Sequence, residues 1–163
     1  MALRKHQQGK LVIEQTRDLV RVRELIAAAG MMTDGIEWPA ACYILAYFGD
    51  EAIGVIGVEA KIDAALIRSL YVDPSMRQRG IGAALVAAAR EAAHTRGARH
   101  LYLLTSDAGD YFARLGFEPV AVQSVMSSMA GAPQVEYYRA HPEECMCEAG
   151  FHLDISADGV IER

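Results

Sequence analysis

The stretch that decides the fold is Leu70-Tyr-Val-Asp-Pro-Ser-Met-Arg-Gln-Arg-Gly-Ile-Gly82. It reads as a short apolar strand, a turn broken by Pro74, a basic loop with two glycines, and then an alanine-rich helix predicted over residues 83–96. The first amides of a helix have no partner inside it, and the helix dipole adds about half a positive charge at that end. Glycines let the backbone approach a ligand closely. The pattern predicts a diphosphate cradle. Its residues are Arg77, Gln78, Arg79, Gly80, Ile81, Gly82 and Ala83.

Two other phosphate-binding patterns are absent from this loop. It lacks the Lys-Ser/Thr ending of a P-loop and the G-x-G-x-x-G of a dinucleotide fingerprint. A helix that starts at a glycine and packs on a sheet without any ligand is the structural alternative. Arg77 and Arg79 would either screen phosphate charge or form an ordinary solvated pair.

Length and composition narrow the class of protein. The chain has 163 residues, enough for one domain, and a net charge of −5, which does not favour a duplex nucleic-acid partner. Because the start is polar, no signal peptide is expected, and no apolar run is long enough to predict a membrane span. Three cysteines do not make an even disulfide framework, so a reducing cytoplasm is the predicted location.

Periodicity predicts alternating strands and helices on both sides of the loop. We expect Thr16 to cap the first helix and Gly30 to end it, and residues 31–38 to form a short helix or a loop. The predicted strands are 11–14, 42–48, 52–59, 65–72, 99–105 and a terminal hairpin of 151–155 with 160–161. The predicted helices are 17–29, 83–96, 107–115 and, less regularly, 123–130 and 136–139. This order predicts an α/β sheet with helices on both faces, and the strand at 65–72 is apolar enough to be central.

The spacing Arg77-x-x-Gly80-x-Gly82 after a strand resembles the acyl-CoA motif of the GCN5-related N-acetyltransferase (GNAT) family. The element order over residues 10–122 is also similar. The resemblance implies a mixed central sheet of about six or seven strands and acetyl-CoA as cosubstrate. It further implies that main-chain groups around Leu70, Tyr71 and Val72 hold the pantetheine arm, with an amide polarising the thioester carbonyl.

A second stretch, Phe112-Ala-Arg-Leu-Gly-Phe117, resembles the second CoA motif of the family, usually Tyr-x-x-x-Gly-Phe. The family tyrosine often protonates the leaving thiolate, but Phe112 stands at its position here. Tyr111 lies one residue earlier, about 100° away on a helix. It is a candidate acid, a residue lining the CoA channel, or a surface residue. Ser106 matches a place where relatives often carry an asparagine that bonds the pantetheine arm.

The predicted central strand departs from many relatives at Arg68, which stands where they carry glutamate. Arginine cannot act as a base, but it binds oxyanions through two parallel bonds. Arg68, with Ser69 beside it, is therefore predicted to hold an anionic acceptor, and the alternative is a structural ion pair with Glu59. Because Arg68 lies two residues before Leu70, the two side chains are expected to share one face of a regular strand. Glu59 is the candidate base, either directly or through water. Alternatively, Glu59 is the ion-pair partner of Arg68 or a surface residue at the end of its strand. An acceptor amine of low pKa would lose its proton to water without any base.

Three stretches together resemble one branch of the family, the arsenic-resistance-linked ArsN-type acetyltransferases. They are Leu66-Ile-Arg-Ser-Leu70, Leu101-Tyr-Leu-Leu-Thr105 and Tyr111-Phe-Ala-Arg-Leu-Gly-Phe117. The tail His-Pro-Glu-Glu-Cys-Met is also similar to that branch. Some members acetylate amino-acid-like anions, which would agree with an arginine at the acceptor.

The predicted function is therefore an N-acetyltransferase for a small, amino-acid-like or otherwise anionic amine. A non-catalytic acyl-CoA-binding or sensing domain is the second hypothesis, because the acid tyrosine and the strand glutamate are both replaced. A metalloid-binding protein using Cys145 and Cys147 is the third, although two reduced cysteines without a metal are expected. No nucleic-acid or membrane partner is expected, and apolar strands near the C terminus are compatible with a homodimer.

Overall fold

A seven-stranded mixed sheet forms the centre of the fold in the computed structural model, which describes residues 9–157. The strands lie in the order β1-β2-β3-β4-β5-β7-β6. All neighbours pair antiparallel except β4 and β5, which are parallel. The strand bounds are β1 Leu11–Thr16, β2 Ala41–Phe48, β3 Glu51–Ala60, β4 Ala64–Val72, β5 His100–Thr105, β6 Glu118–Val120 and β7 Ala149–Asp154.

Helices cover both faces of this sheet. The helix bounds are α1 Leu19–Ala28, α2 Ile81–Thr95, α3 Gly109–Arg114, α4 Val122–Ser128, α5 Pro133–Ala140 and α6 Pro142–Cys145. Side chains of β2 alternate between the faces, as the strand pleat requires. Ile44 packs in the cluster that contains Leu85 of α2, whereas Leu45 packs with Ile26 of α1. A third apolar cluster joins α4 and α5 to Leu66 and Leu104.

The predicted α/β class and mixed sheet are confirmed, and β4 lies in the middle of the sheet. The prediction that Thr16 caps the first helix was wrong. Asp18 is the cap, because its carboxylate accepts the Arg21 amide at 3.1 Å, while the Thr16 hydroxyl accepts the amide of Asp18 at 3.0 Å. Residues 31–38 form turns rather than a helix.

The C-terminal part folds back into the sheet. The segment predicted as the first hairpin strand lies in β7, which is inserted between β5 and β6. The second predicted hairpin strand, residues 160–161, lies outside the described residues. Strand β6 and helix α6 were not predicted. Within residues 9–157, no helix combines the length and apolar character needed to cross a bilayer.

Candidate functional site

The centre of the site is a fork between the two parallel strands. Strands β4 and β5 pair only from Ala64 with His100 to Ile67 with Leu103, and then they diverge. Beyond Ile67, the edge of β4 that faces β5 has no strand partner in the described part of the chain. A cavity of about 610 Å³ opens there, and we call it the fork cavity. An unpaired strand edge beside a cavity offers backbone groups to an extended ligand.

A β-bulge at Ser69 gives this part of β4 its shape. Gly57 pairs with Arg68 and Val55 with Tyr71, so two residues of β4 oppose Ile56 alone. Ser69 adopts φ of +59°, a left-handed conformation that is uncommon outside glycine. A bulge shifts the alternation of side chains by one residue. The expectation that Arg68 and Leu70 share one face was therefore wrong, because Leu70 packs toward the α2 face.

Arg68 is buried, with 2% of its surface exposed, and is held by four hydrogen bonds. Its Nη1 donates to Glu59 Oε2 at 2.9 Å and to the Asp34 carbonyl at 2.7 Å. Its Nη2 donates to the Met32 carbonyl at 2.7 Å, and its Nε donates to Ser69 Oγ at 3.2 Å. The structure thus contains the buried ion pair that the sequence left as an alternative. Arg68 and Ser69 also line the fork cavity.

Glu59 is fully buried and does not line either cavity of the site. Its second oxygen, Oε1, accepts the backbone amide of Gln134 at 3.1 Å. Burial raises the pKa of the Glu59 carboxyl, while the Arg68 guanidinium and the Gln134 amide act in the opposite direction. With both oxygens bonded, Glu59 links β3, β4 and the start of α5. This geometry supports a positioning role better than direct proton transfer.

Gly57 leaves the space in which this pair is packed. A Cβ added at Gly57 would lie 2.6 Å from the Tyr43 ring and 2.9 Å from Arg68 Cγ. Both distances are shorter than any real carbon contact, so only glycine fits beside the Arg68 stem.

A second cavity, of about 430 Å³, lies at the N-terminus of α2, and we call it the loop cavity. Gly80 caps the helix with φ of +78° and no side-chain hydrogen bond, and Gln78 also has a positive φ of +62°. The first intrahelical bond is donated by the Ala84 amide to the Gly80 carbonyl at 3.0 Å. The amides before Ala84 are therefore unused by the helix and suit an anion.

Most of the residues predicted to bind CoA, in the cradle and along the strand before it, line the loop cavity. They are Leu70, Tyr71, Val72, Arg77, Gln78, Gly80, Ile81, Gly82 and Ala83. Arg77 is exposed, with its Nε donating to the Val72 carbonyl at 2.9 Å and its guanidinium 5.8 Å from the centre of the Tyr71 ring. Arg79 is exposed and does not line either cavity.

The residues of the second motif divide between the two cavities. Tyr111 lines the loop cavity, and a Cβ added at Gly82 would lie 2.6 Å from its hydroxyl oxygen. Burial raises the pKa of the Tyr111 hydroxyl, which keeps it protonated. Phe112 is buried and lines the fork cavity together with Ser106.

Sequence reasoning missed one wall of the fork cavity. This wall consists of Gln134, Tyr137, Tyr138, Glu144 and Glu148. All five lie in the segment after residue 122, for which no site residue was predicted. Helix α5 packs near the fork against Leu66 and Leu104, and β7 enters the sheet beside β5. Asp107 and Met31 were also missed, and they line both cavities, as Leu70 does.

The cysteines carry no sign of a shared ligand site. Cys145 is half-buried, Cys147 is exposed, and both are free thiols. Burial raises the pKa of the Cys145 thiol. Within residues 9–157, no three His, Cys, Asp or Glu side chains form a group that could hold a metal ion.

Solved structures with a similar fold share less than 20% of their sequence with this chain. Rv2747 from Mycobacterium tuberculosis, in complex with CoA and NLQ, is 19% identical with a TM-score of 0.70, covering 88% of this chain and 98% of that one. ElaA from Escherichia coli is 14% identical with a TM-score of 0.66, covering 89% and 100%. N-acetylglutamate synthase from Neisseria gonorrhoeae, complexed with CoA and N-acetyl-glutamate, is 18% identical with a TM-score of 0.68 over 91% of this chain. This chain spans only 36% of that synthase.

These structural similarities establish the fold. Sequence comparisons test the family. A search of curated proteins found no match. Residues 39–119 match the family model described as an acetyltransferase (GNAT) domain. The matched segment runs from β2 to β6 and contains the fork, the bulge and the glycine loop. Residues 39–119, about half of the chain, therefore match the acetyltransferase (GNAT) domain in both sequence and fold.

Proposed function

We propose that this domain transfers an acetyl group from acetyl-CoA to the amine of a small acceptor. The observation that carries the proposal is the continuity of the two cavities. Leu70, Met31 and Asp107 line both, so a ligand anchored at the α2 N-terminus would extend past Leu70 into the fork. Two of the similar structures described above contain CoA, which supports the same assignment.

The residues present fit the ligand. Backbone amides from Gln78 to Ala83 would receive the diphosphate, with Arg77 beside it, and the unpaired edge of β4 would receive the pantetheine arm. The positive φ at Gly80 and the missing Cβ at Gly82 keep the cradle open. Main-chain groups around Leu70 would stabilise charge on the thioester oxygen, since backbone donors are already oriented.

The roles of Tyr111 as the acid and Glu59 as the base, both predicted from the sequence, have weaker support than the CoA-binding residues. Tyr111 faces the loop cavity and is the nearest match to the family acid, so it stays a candidate. Glu59 is enclosed by Arg68 and Gln134, and a direct role for it would require this pair to open. Loss of the amine proton to water needs neither residue.

The predicted grip of Arg68 and Ser69 on an anionic or amino-acid-like acceptor has one supporting observation. Arg68 uses four hydrogen bonds out of the five that a guanidinium can donate, and it lines the fork cavity. One N–H is thus available to a ligand. Its positive charge, however, is already balanced by Glu59 at 2.9 Å.

A non-catalytic acyl-CoA-binding domain is the second candidate. The observation that favours it is Phe112, which is buried at the place of the family acid. Release of CoA thiol from acetyl-CoA across a panel of amines separates the two. Binding of acetyl-CoA without thiol release from any amine would favour the sensing role.

Other predictions rest on the sequence alone. Membership of the ArsN-type branch, a cytoplasmic location, a homodimer, and the absence of nucleic-acid and membrane partners are proposals of this kind. Acetylation of an amino-acid-like anion such as phosphinothricin would test the branch, and analytical ultracentrifugation would test the dimer.

The CoA assignment is tested by Gly82→Glu. The new side chain would meet the Tyr111 hydroxyl and add a negative charge at the cradle. We expect acetyl-CoA affinity, measured by calorimetry, to fall at least about tenfold, the equivalent of 1.4 kcal/mol. Ala87→Glu is the control, because Ala87 is exposed on α2 and lies outside both cavities. Unchanged affinity in a folded Gly82→Glu protein would contradict the assignment.

A further inference from the structure

One wall of the fork cavity is built from two tyrosine–glutamate pairs. Consecutive residues of α5, Tyr137 and Tyr138, each interact with a glutamate from the following segment. Tyr138 Oη donates to Glu148 Oε1 at 3.0 Å. Tyr137 lies close to Glu144, and the interaction of its hydroxyl with the Glu144 carboxylate, together with burial, raises the pKa of that hydroxyl. We call these four residues the Tyr–Glu wall.

The charges that line the fork cavity are mostly negative. Its charged lining residues are Asp107, Glu144, Glu148 and Arg68. Arg68 is the single cation among them, and Glu59 compensates it at 2.9 Å. Burial raises the pKa of the Glu148 carboxyl, the hydrogen bond from Tyr138 opposes this, and the Asp107 carboxylate adds to the rise. A cavity with this lining attracts cations and repels a carboxylate or phosphinate ligand.

A separate observation also indicates a ligand that donates hydrogen bonds. Gln134 lines the same cavity and is only 7% exposed. Its side-chain oxygen Oε1 has no hydrogen-bond partner among the described residues. A buried acceptor without a donor is costly, so such atoms in native proteins are usually satisfied by a ligand, a water or a small rearrangement. An ammonium carries three N–H donors and no acceptor, which complements this oxygen.

We propose that the acceptor is an amine that carries a second positive charge, as diamines and polyamines do, and that the Tyr–Glu wall binds this second cation. This inference rests on the proposed acetyl transfer. Carboxylates and tyrosine faces together form a favourable site for an ammonium. In the transfer, the amine at the fork forms the new C–N bond, the thioester C–S bond breaks, and the proton lost by the amine ends on the CoA thiolate. The second ammonium keeps its charge throughout.

Three acceptors of equal chain length test the class. They are 1,5-diaminopentane, pentylamine and 5-aminopentanoate, which differ only in the far end of the chain. With thiol release as the readout, we expect kcat/KM for the diamine to exceed that for pentylamine by about ten- to a hundredfold, the range for a charge-assisted hydrogen bond. The carboxylate-bearing amine should be the poorest of the three. Equal or better use of pentylamine or 5-aminopentanoate would overturn the proposal.

Variants of the wall test its role. Glu148→Gln and Glu144→Gln should each lower the ratio of kcat/KM for the diamine over that for pentylamine, because the diamine alone carries the second ammonium that the wall would bind. Glu91→Gln is the control, because it removes the same charge from an exposed position on α2 outside both cavities. A ratio unchanged in both wall variants, or lowered equally by Glu91→Gln, would contradict the assignment.

Failure of this inference can be told apart from failure of the proposed function. If no amine releases thiol, acetyl transfer is refuted for this panel, and calorimetry on the CoA-loaded protein then decides the second question. Tighter binding of 1,5-diaminopentane than of pentylamine, lost in Glu148→Gln, would still support a dication site. Equal binding of the two would refute it.

Discussion

The buried pair of Arg68 and Glu59 makes the sharpest prediction about stability. Arg68→Met keeps much of the side-chain volume but leaves the Glu59 carboxylate, which is 0% exposed, without its partner at 2.9 Å. Removing one member of a buried ion pair typically costs about 3–5 kcal/mol. The carbonyls of Met32 and Asp34 also lose their donor. Since a domain of this size has about 5–15 kcal/mol of total stability, we expect a large fraction of it to disappear.

Urea unfolding followed by circular dichroism measures this loss. The control is Arg99→Met. Arg99 is 71% exposed, and its Nε lies 3.7 Å from Asp63 Oδ1 at the surface, where an ion pair contributes less than about 1 kcal/mol to stability. If Arg68→Met does not fold, the double variant with Glu59→Gln provides the comparison, because no charge is then left buried, and it should be more stable than Arg68→Met alone. A free energy of unfolding for Arg68→Met within about 1 kcal/mol of wild type would refute the reasoning.

Arg68→Lys separates positioning from substrate binding. If Arg68 gripped an anionic acceptor, KM for that acceptor would rise while stability and acetyl-CoA affinity stayed constant. The structure instead predicts lower stability, because a lysine cannot make the separate hydrogen bonds that the guanidinium donates to Glu59, Met32 and Asp34. We expect a loss of unfolding free energy, and a fall in kcat/KM that is similar for cationic and neutral amines.

Two further predictions concern Tyr111 and a histidine pair. Tyr111→Phe should lower kcat by much less than the roughly hundredfold loss of a positioned acid, since Tyr111 does not line the fork cavity, where the transfer would take place. A larger loss in the folded variant would identify Tyr111 as the proton donor. His152 lies 3.0 Å from His100, and burial together with His100 lowers the His152 pKa below 6.5, although Asp154 and Glu118 oppose the shift. The folded state then binds fewer protons than the unfolded state near this pH. The free energy of unfolding, measured with urea, should therefore fall as the pH drops below about 6.5, and His152→Gln should make it less dependent on pH.

Local signals were sufficient for the half of the site around the glycine loop. The strand, the turn at Pro74, the loop and helix α2 follow one another within residues 70–95, and each is encoded by its own residues. The helix starts at Ile81, two residues before the predicted start, because Gly80 itself provides the cap. Contacts within such a short segment are visible in spacing and residue type.

Non-local contacts account for what the sequence did not reveal. The bulge at Ser69 has no glycine to mark it, so alternation along β4 was read as unbroken. Gln134 donates to Glu59 across 75 residues of sequence, and nothing in either segment indicates the other. The Tyr–Glu wall reaches the fork through the packing of α5 on Leu66 and Leu104 and through the insertion of β7 between β5 and β6. Periodicity describes the exposed and buried sides of one element, not which distant element covers it.

The loop cavity and the fork cavity are therefore built in physically different ways. The loop cavity is lined mainly by one continuous segment, residues 70–83, whose main-chain groups would bind acetyl-CoA largely independently of its side chains. The fork cavity depends on separate segments that are held together by the bonds of Arg68 and Glu59 to Met32, Asp34 and Gln134. Substitutions at Glu144 or Glu148 change the charge of the fork while leaving both the loop and this buried anchor intact. The acceptor preference can thus vary independently of acetyl-CoA binding, whereas loss of the anchor should disturb the whole acceptor side at once.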